Sequence, residues 1–536
     1  MHKIRIQIIA LCLTVVLLTG CGSDDFLDTL KKYEYYEPVA YKDMKYVRPD
    51  MDEIENILAE SCSIVQSGES FSEALDAIYD FYDIYDRFHT NYNLAYIHYN
   101  GDLTDGYWEE EFNFCAKNVS AIENGLEELY YAAAKSPLRD ELEDEAYFGA
   151  DYFDAYESES TWDEELLDLM EQEAVLQSQY YELWDQSTSV EYYSDSYFSS
   201  YGTQMAELFV KLIEVRQQIA ACAGYDSYPE FAYDMYFDRD YTPAQAERYL
   251  TEIGETLCDI YCQVNQTDVE ELVDGYSSEE ETFQYVKDAA SAMGGSMKEA
   301  FEILEKEGLY DISYGENKYD SSFEVYLWSY YEPFVFICPY MDQTDKLTFA
   351  HEFGHFVNDY VCDGSYAGTD ITEVHSQAFE YLSLCYGKDT ADLTKYKMAD
   401  SLSVYVEQAA YALFEHQVYD LTGDELTVEN VMALYEQIGS GFGFNSWDWD
   451  SRDFVTIAHF FIDPMYVVSY VVGNDLAMQF YQQELEKNGA GLKIYEECLE
   501  SEESYIISFA EQYGLESPFA KGRLQEVKET FERILK

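Results

Sequence analysis

The stretch "DKLTFAHEFGHFVNDYV" (Asp345–Val361) decides how the chain is read. Leu347, Phe353 and Phe356 recur along it at helical spacing, so it reads as a mostly apolar, buried helix. Residues four apart share a helix face, and His351 and His355 therefore point two imidazoles at one place, with Glu352 beside them. That is the H-E-x-x-H arrangement, in which two histidines bind zinc and the glutamate acts as a general base. Histidine is scarce, eight in the chain, so the pattern carries weight.

A catalytic zinc takes three protein ligands and keeps one position open. The segment "GTDITEVHSQAFEYL" (Gly368–Leu382) follows at a distance that permits a second helix to pack back on the first, with Glu373, Gln377 and Glu380 on one face. Glu373 is the candidate third ligand, and Glu380 the candidate acceptor for a ligating imidazole N–H. Just upstream, "EPFVFICPY" (Glu332–Tyr340) reads as a short strand, able to take up an extended peptide as a further strand if it runs along the rim of the site.

Composition limits the partners. With 31 Lys+Arg against 107 Asp+Glu, the net charge of -76 repels nucleic-acid phosphates and anionic lipid head groups, so no nucleic-acid partner is expected. Hydrophobic residues make up 47% and aromatic residues 17%, enough for a large core. No proline falls between Pro49 and Pro137, Pro243 and Pro333, or Pro339 and Pro464, which permits long helices. In "MAELFVKLIEVRQQIAACAGY" (Met205–Tyr225), Leu208, Leu212, Val215 and Ile219 form one apolar stripe. The fold class reads as mainly α.

The N-terminus carries an address. His2, Lys3 and Arg5 precede an apolar run from Ile8 to Leu18, which suits a secretory signal, and the run ends in Leu18-Thr19-Gly20-Cys21. That ending resembles the lipobox of bacterial lipoproteins, so residues 1–20 are expected to be a signal peptide and Cys21 a lipidated first mature residue, anchoring the protein outside the cytoplasm on the bacterial cell membrane. Residues 21–49 read as a tether, 50–200 as an N-terminal helical lobe and 201–536 as the catalytic lobe. Setting Cys12 and Cys21 aside leaves nine of 11 cysteines, an odd number in no metal-ribbon or disulfide-scaffold pattern.

A family resemblance covers about residues 200 to 480. "HEFGH" followed by "GTDITEVHSQAFEYL" resembles the oligoendopeptidase F and thimet-oligopeptidase-like zinc metallopeptidases. So do "LFVKLIEVRQQIAACAGYDSYPEFAYDMYFDRDYTPAQAERYL" (Leu208–Leu250), "AFEILEKEGLYDIS" (Ala300–Ser313) and "YEPFVFICPYMDQTDKLTFAHEFGH" (Tyr331–His355). The resemblance implies a multi-helix, two-lobed peptidase with a deep substrate channel and a small β-sheet near the zinc helix. It further implies one Zn2+ held by His351, His355 and Glu373, with Glu352 polarising the water, and short peptides as substrates of a monomer. "HFFIDPMYVVSYVVGND" (His459–Asp475) is similar to the family's late His and Tyr cluster, which makes His459, Tyr466 and Tyr470 candidate oxyanion donors. Pro464 and Met465 depart from the family's spacing, and His375 replaces a residue that is often Pro or Ala. "GSGFGFNSW" (Gly439–Trp447) reads as a flexible loop. The competing function is a peptide-binding lipoprotein without catalysis, against which the intact general base counts.

Overall fold

The computed structural model describes residues 39–144, 146–156, 164–187, 190, 194–264, 269–364, 368–444, 449–501 and 503–535. The signal segment and Cys21 lie outside them. The fold is mainly α, as the proline gaps permit, with one small sheet among the described residues. The chain divides into two compact units, one of residues 1–161, 277–341 and 355–365, the other of 162–276, 342–354 and 366–536. This division is discontinuous along the chain.

In the first unit, three long helices pack together: Met51–Ser67, Phe71–Gly101 and Gly106–Ala134. Each starts where a short polar side chain satisfies a free backbone N–H: Asp50 accepts from Glu53, Ser70 from Glu73 and Asp105 from Tyr107. Gly68, at φ 59°, ends the first of them. Ile78, Phe81, Leu129, Leu142 and Phe153 are wholly buried between these elements. The segment before Met51 already packs here, for Tyr46 donates to Glu111 at 2.5 Å and the Val47 N–H to Asn91 at 2.6 Å.

The sheet, also in the first unit, has strands β1 (Tyr310–Ile312), β2 (Phe323–Leu327) and β3 (Glu332–Ile337) in the order β1-β3-β2. The strand expected from "EPFVFICPY" is β3, but its expected role fails. It is the central strand, parallel to β1 and antiparallel to β2, and every residue of it is buried. With both edges hydrogen-bonded, β3 offers no row of free N–H and C=O groups to a peptide.

The second unit is built from helices that include Glu164–Ser187, Thr203–Cys222, Pro243–Tyr261, Ala391–Val418 and Arg523–Leu535. Leu208, Leu212, Val215 and Ile219 are all buried, as their stripe predicts. Thr242 and Gln245 close a capping box around Pro243, which fixes the start of Pro243–Tyr261. The expected flexible loop "GSGFGFNSW" begins instead as the last turn of the helix Val428–Gly441. The reason is Trp449: its indole stacks on Tyr435 at 4.3 Å and donates to the Tyr435 carbonyl at 2.9 Å. A Cβ on Gly439 would come within 2.3 Å of that ring, so only glycine fits beneath it. Residues 445–448 of the loop lie outside the described residues.

Candidate metal centre

The HEFGH motif lies on the helix Asp345–Cys362, and Glu373 and Glu380 on the helix Thr369–Tyr386. Gly354 decides how closely the two approach. A Cβ there would lie 2.6 Å from the Ser376 Cα and 2.9 Å from the His375 carbonyl oxygen, so a side chain would force the backbones apart. Phe353 packs edge-on against Phe379 at 5.0 Å beside this contact. The helix Val468–Glu486 closes in from another side, where Gly473 leaves only 3.0 Å between its added Cβ and the Glu373 Cβ.

These contacts bring the predicted ligands together. Ligand atoms of His351, His355 and Glu373 all lie within 4.8 Å of one another. The division between the units falls inside the helix Asp345–Cys362, but the helix is continuous through it and itself sets His355 one turn after His351. His351 Nδ1 is 2.9 Å from Glu380 Oε1, so the ring is held by its far nitrogen while Nε2 faces Glu373 Oε2 at 3.8 Å. Two imidazoles and a carboxylate, one ring oriented by a second carboxylate, form a donor set that fits a tetrahedral divalent cation.

The electrostatics agree with that fit. Burial opposes a charge on His351, but the Glu380 hydrogen bond and the carboxylates of Glu380, Glu352 and Glu373 outweigh it and push the imidazole up to about 9. A divalent cation held by these residues would meet the same negative field and would take the place of that proton. Burial raises Glu352 to about 7, opposed by His351 and reinforced by Glu373 and Glu380, which brings its carboxyl into the range of a general acid and base at neutral pH. Glu380 is held below the usual carboxylate range: burial alone would raise it, but Lys397 and His351 pull it down.

Lys397 is a site residue that the sequence reading missed. Its ammonium lies 2.8 Å from Glu380 Oε2 and 3.3 Å from Asp400, and its side chain is 4% exposed. A buried relay therefore runs from Lys397 through Glu380 to His351. The nearest signal in the sequence was a pair of lysines, Lys395 and Lys397, among acidic residues of one helix, which by itself reads as solvated.

Beside the ligands, a cavity of about 290 Å³ is lined by residues that include His351, Glu352, Glu373, Gln377, Tyr396 and Tyr470. The late aromatic cluster reaches it. Tyr466 donates to Glu373 Oε1 at 3.1 Å, and Tyr470 Oη is 3.4 Å from His459 Nε2. The His459 ring stacks on Tyr466 with centroids 5.0 Å apart. Burial, then the Glu373 charge, raise the Tyr470 phenol to about 12, which keeps it protonated and able to donate. All eight predicted residues other than Cys21 are thus placed in or beside one locality. His375 is not among them: it is 1% exposed, its ring packs by Tyr495 and Phe509, and it belongs to the core.

Comparison with known proteins gives the same direction. Residues 41–162 match the model of the Peptidase M3 N-terminal domain. Two solved oligoendopeptidase F candidates share the fold, each at 18% identity over 93% of this chain and 98% of their own; the TM-scores are 0.76 and, for the one from Bacillus anthracis, 0.75. PZ peptidase A, solved with an inhibitor, has a TM-score of 0.76 at 17% identity, over 92% of this chain and 98% of its own. No curated protein matches the chain in sequence. At such identities the neighbours establish the fold. The N-terminal match and this fold together make the chain similar to the M3 and oligoendopeptidase F peptidases.

Proposed function

We propose that this chain, oligoendopeptidase F-like in fold and bearing an M3 peptidase N-terminal domain, is a zinc-dependent endopeptidase that hydrolyses short peptides. The observation that carries this reading is the convergence of His351, His355 and Glu373 within 4.8 Å, with Glu352 lining the adjoining cavity. His351, His355 and Glu373 hold the ion, and Glu380, backed by Lys397, orients the His351 ring. When bound, zinc supplies Lewis acidity and brings the pKa of water towards neutrality. Glu352 takes the proton from the attacking water and returns it to the leaving amine, two transfers served by one buried carboxyl. Tyr470, which opens into the cavity, donates to the oxygen that becomes charged in the tetrahedral intermediate, with His459 oriented behind it. Tyr466, engaged with Glu373, orients that ligand and stands as the second candidate donor.

Glu352→Gln keeps the shape and removes the base. It is expected to retain one equivalent of zinc and lose about 10²–10⁴-fold in kcat on a library of short peptides. Full turnover in that variant overturns the mechanism, and a protein that binds peptides without cleaving them in either form supports the binding-lipoprotein alternative. We further propose extracytoplasmic anchoring through an acylated Cys21, which mass spectrometry of the mature N-terminus tests. Among the described residues, no helix is long and apolar enough to cross a membrane.

A further inference from the structure

The segment that carries Tyr466 is held in an unusual way. Met465, immediately before it, has φ 70°, a left-handed conformation that a residue with a side chain rarely adopts. Its backbone is gripped from both sides. Glu415 Oε1 accepts the Met465 N–H at 2.6 Å, and Arg239 Nη1 donates to the Met465 carbonyl at 2.9 Å. The same guanidinium donates through Nη2 to Ser469 Oγ at 2.9 Å, in the first turn of the helix Val468–Glu486.

Arg239 also reaches the ligand-bearing helix. Its Nε faces Asp370 Oδ2 at 3.6 Å, and Asp370 lies in the first turn of Thr369–Tyr386, one turn before Glu373. One guanidinium therefore ties the backbone before Tyr466 to the start of the helix that presents Glu373. Tyr233 and Phe237 flank it, their ring centroids 4.4 and 4.2 Å from the guanidinium carbon.

The cluster is costly to bury. The Arg239 side chain is 1% exposed, and among the described residues Arg239 Nε, Asp370 Oδ1 and Glu415 Oε2 are buried and meet no hydrogen-bond partner. Burying these charges costs solvation, which the contacts of Arg239 to Met465, Ser469 and Asp370 offset. Burial pushes Glu415 up to about 8 against the pull of the Met465 N–H, Arg216 and Arg239.

We infer that Arg239 and Glu415 are positioning residues that hold Met465 in its left-handed conformation and so aim the Tyr466 hydroxyl at Glu373. The inference rests on the metal-centre reading above. It orders the contacts as a chain: Arg239 and Glu415 fix Met465, Met465 sets Tyr466, and Tyr466 sets the Glu373 carboxylate.

The test is a double-mutant cycle on zinc affinity, read by competition with a chromophoric chelator in the purified full chain. Removal of an outer partner of a ligand weakens metal binding about 10–100-fold. Tyr466→Phe is expected to fall in this range, and Glu415→Ala to fall at least about tenfold. The double variant is expected to be no worse than Tyr466→Phe alone, because both changes cut one chain. Glu415→Gln, whose amide oxygen still accepts the Met465 N–H, is expected to stay near wild type. Additive losses in the double variant, or unchanged affinity in a folded Glu415→Ala, overturn the inference. If Glu415→Ala does not fold, Arg239→Lys takes its place in the cycle, since lysine keeps the charge but loses the fork that reaches two acceptors.

Hydrogen exchange separates this inference from the function it rests on. A wild-type protein that binds no zinc overturns the metal centre, and the grip is then judged by exchange over residues 463–468 in the metal-free protein. Loss of protection there in Glu415→Ala supports the grip, and unchanged protection overturns it.

Discussion

In the second unit, Arg523 meets Asp475 at 2.8 Å and Lys397 meets Glu380 at 2.8 Å, each pair with its side chains almost wholly buried. The pairs differ in what holds the rest of the carboxylate. Asp475 Oδ2 accepts from Tyr249 at 3.3 Å and from Tyr405 at 3.1 Å, and Arg523 also reaches the Asp475 carbonyl and Gln482. The partners of Asp475 are core groups on the helices Pro243–Tyr261, Ala391–Val418, Val468–Glu486 and Arg523–Leu535, and only the Arg523 contact to Glu526 at 3.6 Å reaches an exposed side chain. Glu380 gives its second oxygen to the His351 imidazole, and Lys397, Glu380 and His351 all line the cavity. A closed pair uses its charges to fix helices, whereas a pair that ends on a ring at a cavity uses them to set that ring's orientation.

The largest effect expected from this difference lies in the closed pair. Arg523→Ala leaves Asp475 buried with only neutral partners, the Tyr249 and Tyr405 hydroxyls and the Gln479 amide, and loss of one member of a buried pair costs about 3–5 kcal/mol. Urea denaturation of the metal-free protein measures that loss, and zinc affinity of the folded fraction is expected to stay within about twofold of wild type. Replacing both members, as in Arg523→Met with Asp475→Leu, is expected to recover most of the stability, because no uncompensated charge remains. A large fall in zinc affinity on Arg523→Ala would remove the distinction.

The open pair predicts the converse. Glu380→Gln keeps a hydrogen-bond acceptor but loses the charge that His351 and Lys397 answer, and zinc affinity is expected to fall about 10–100-fold, about 1.4–2.8 kcal/mol. Lys397→Met is expected to act in the same direction, since Glu380 then stays charged in the interior with His351 as its only close cation. Glu380→Gln, which leaves Lys397 paired with Asp400, should destabilise the metal-free protein less than Arg523→Ala does. If Glu380→Gln binds zinc as wild type and unfolds as readily as Arg523→Ala, the relay is structural.

What could be read from the sequence follows the range of the interactions involved. His351, Glu352 and His355 are set by one helix, and Glu373, Gln377 and Glu380 by another, so spacing alone put each set on a face. Gly354 was visible but mute: its need appears only when Ser376 arrives 2.6 Å from where its Cβ would be. Lys397, Arg239 and Glu415 were hidden for a similar reason. Nothing local marks a charged residue for burial, and each gains its partners from segments distant in sequence, such as Asp370 and Met465 for Arg239. In the sheet, β3 was legible from its apolar run, but its neighbours β1 and β2 are short and half-polar, so its central position was not.

The smallest effect expected concerns a third buried group, His416, and places it with the closed kind. Its Nε2 lies 2.7 Å from the Tyr233 hydroxyl and its Nδ1 2.7 Å from the Ala412 carbonyl, which together specify a neutral ring that donates from Nδ1 and accepts at Nε2. Burial, with the Arg239 charge, lowers it from 6.5 to about 4, against the pull of the Ala412 carbonyl. The unfolded chain therefore binds a proton between pH 6.5 and 4 that the folded chain refuses. The stability this group contributes is complete above pH 6.5 and is lost as pH falls towards 4. Other carboxylates and histidines titrate in the same window, so the measurement is a difference: urea denaturation of metal-free wild type and His416→Gln from pH 7 to 4.5. The variant is expected to be less stable at pH 7 and to lose stability more gently as pH falls, its slope smaller by up to one proton. Parallel slopes would show that His416 takes up its proton in the folded state, and the hydrogen bonds to Tyr233 and Ala412 would then not be what fixes the ring.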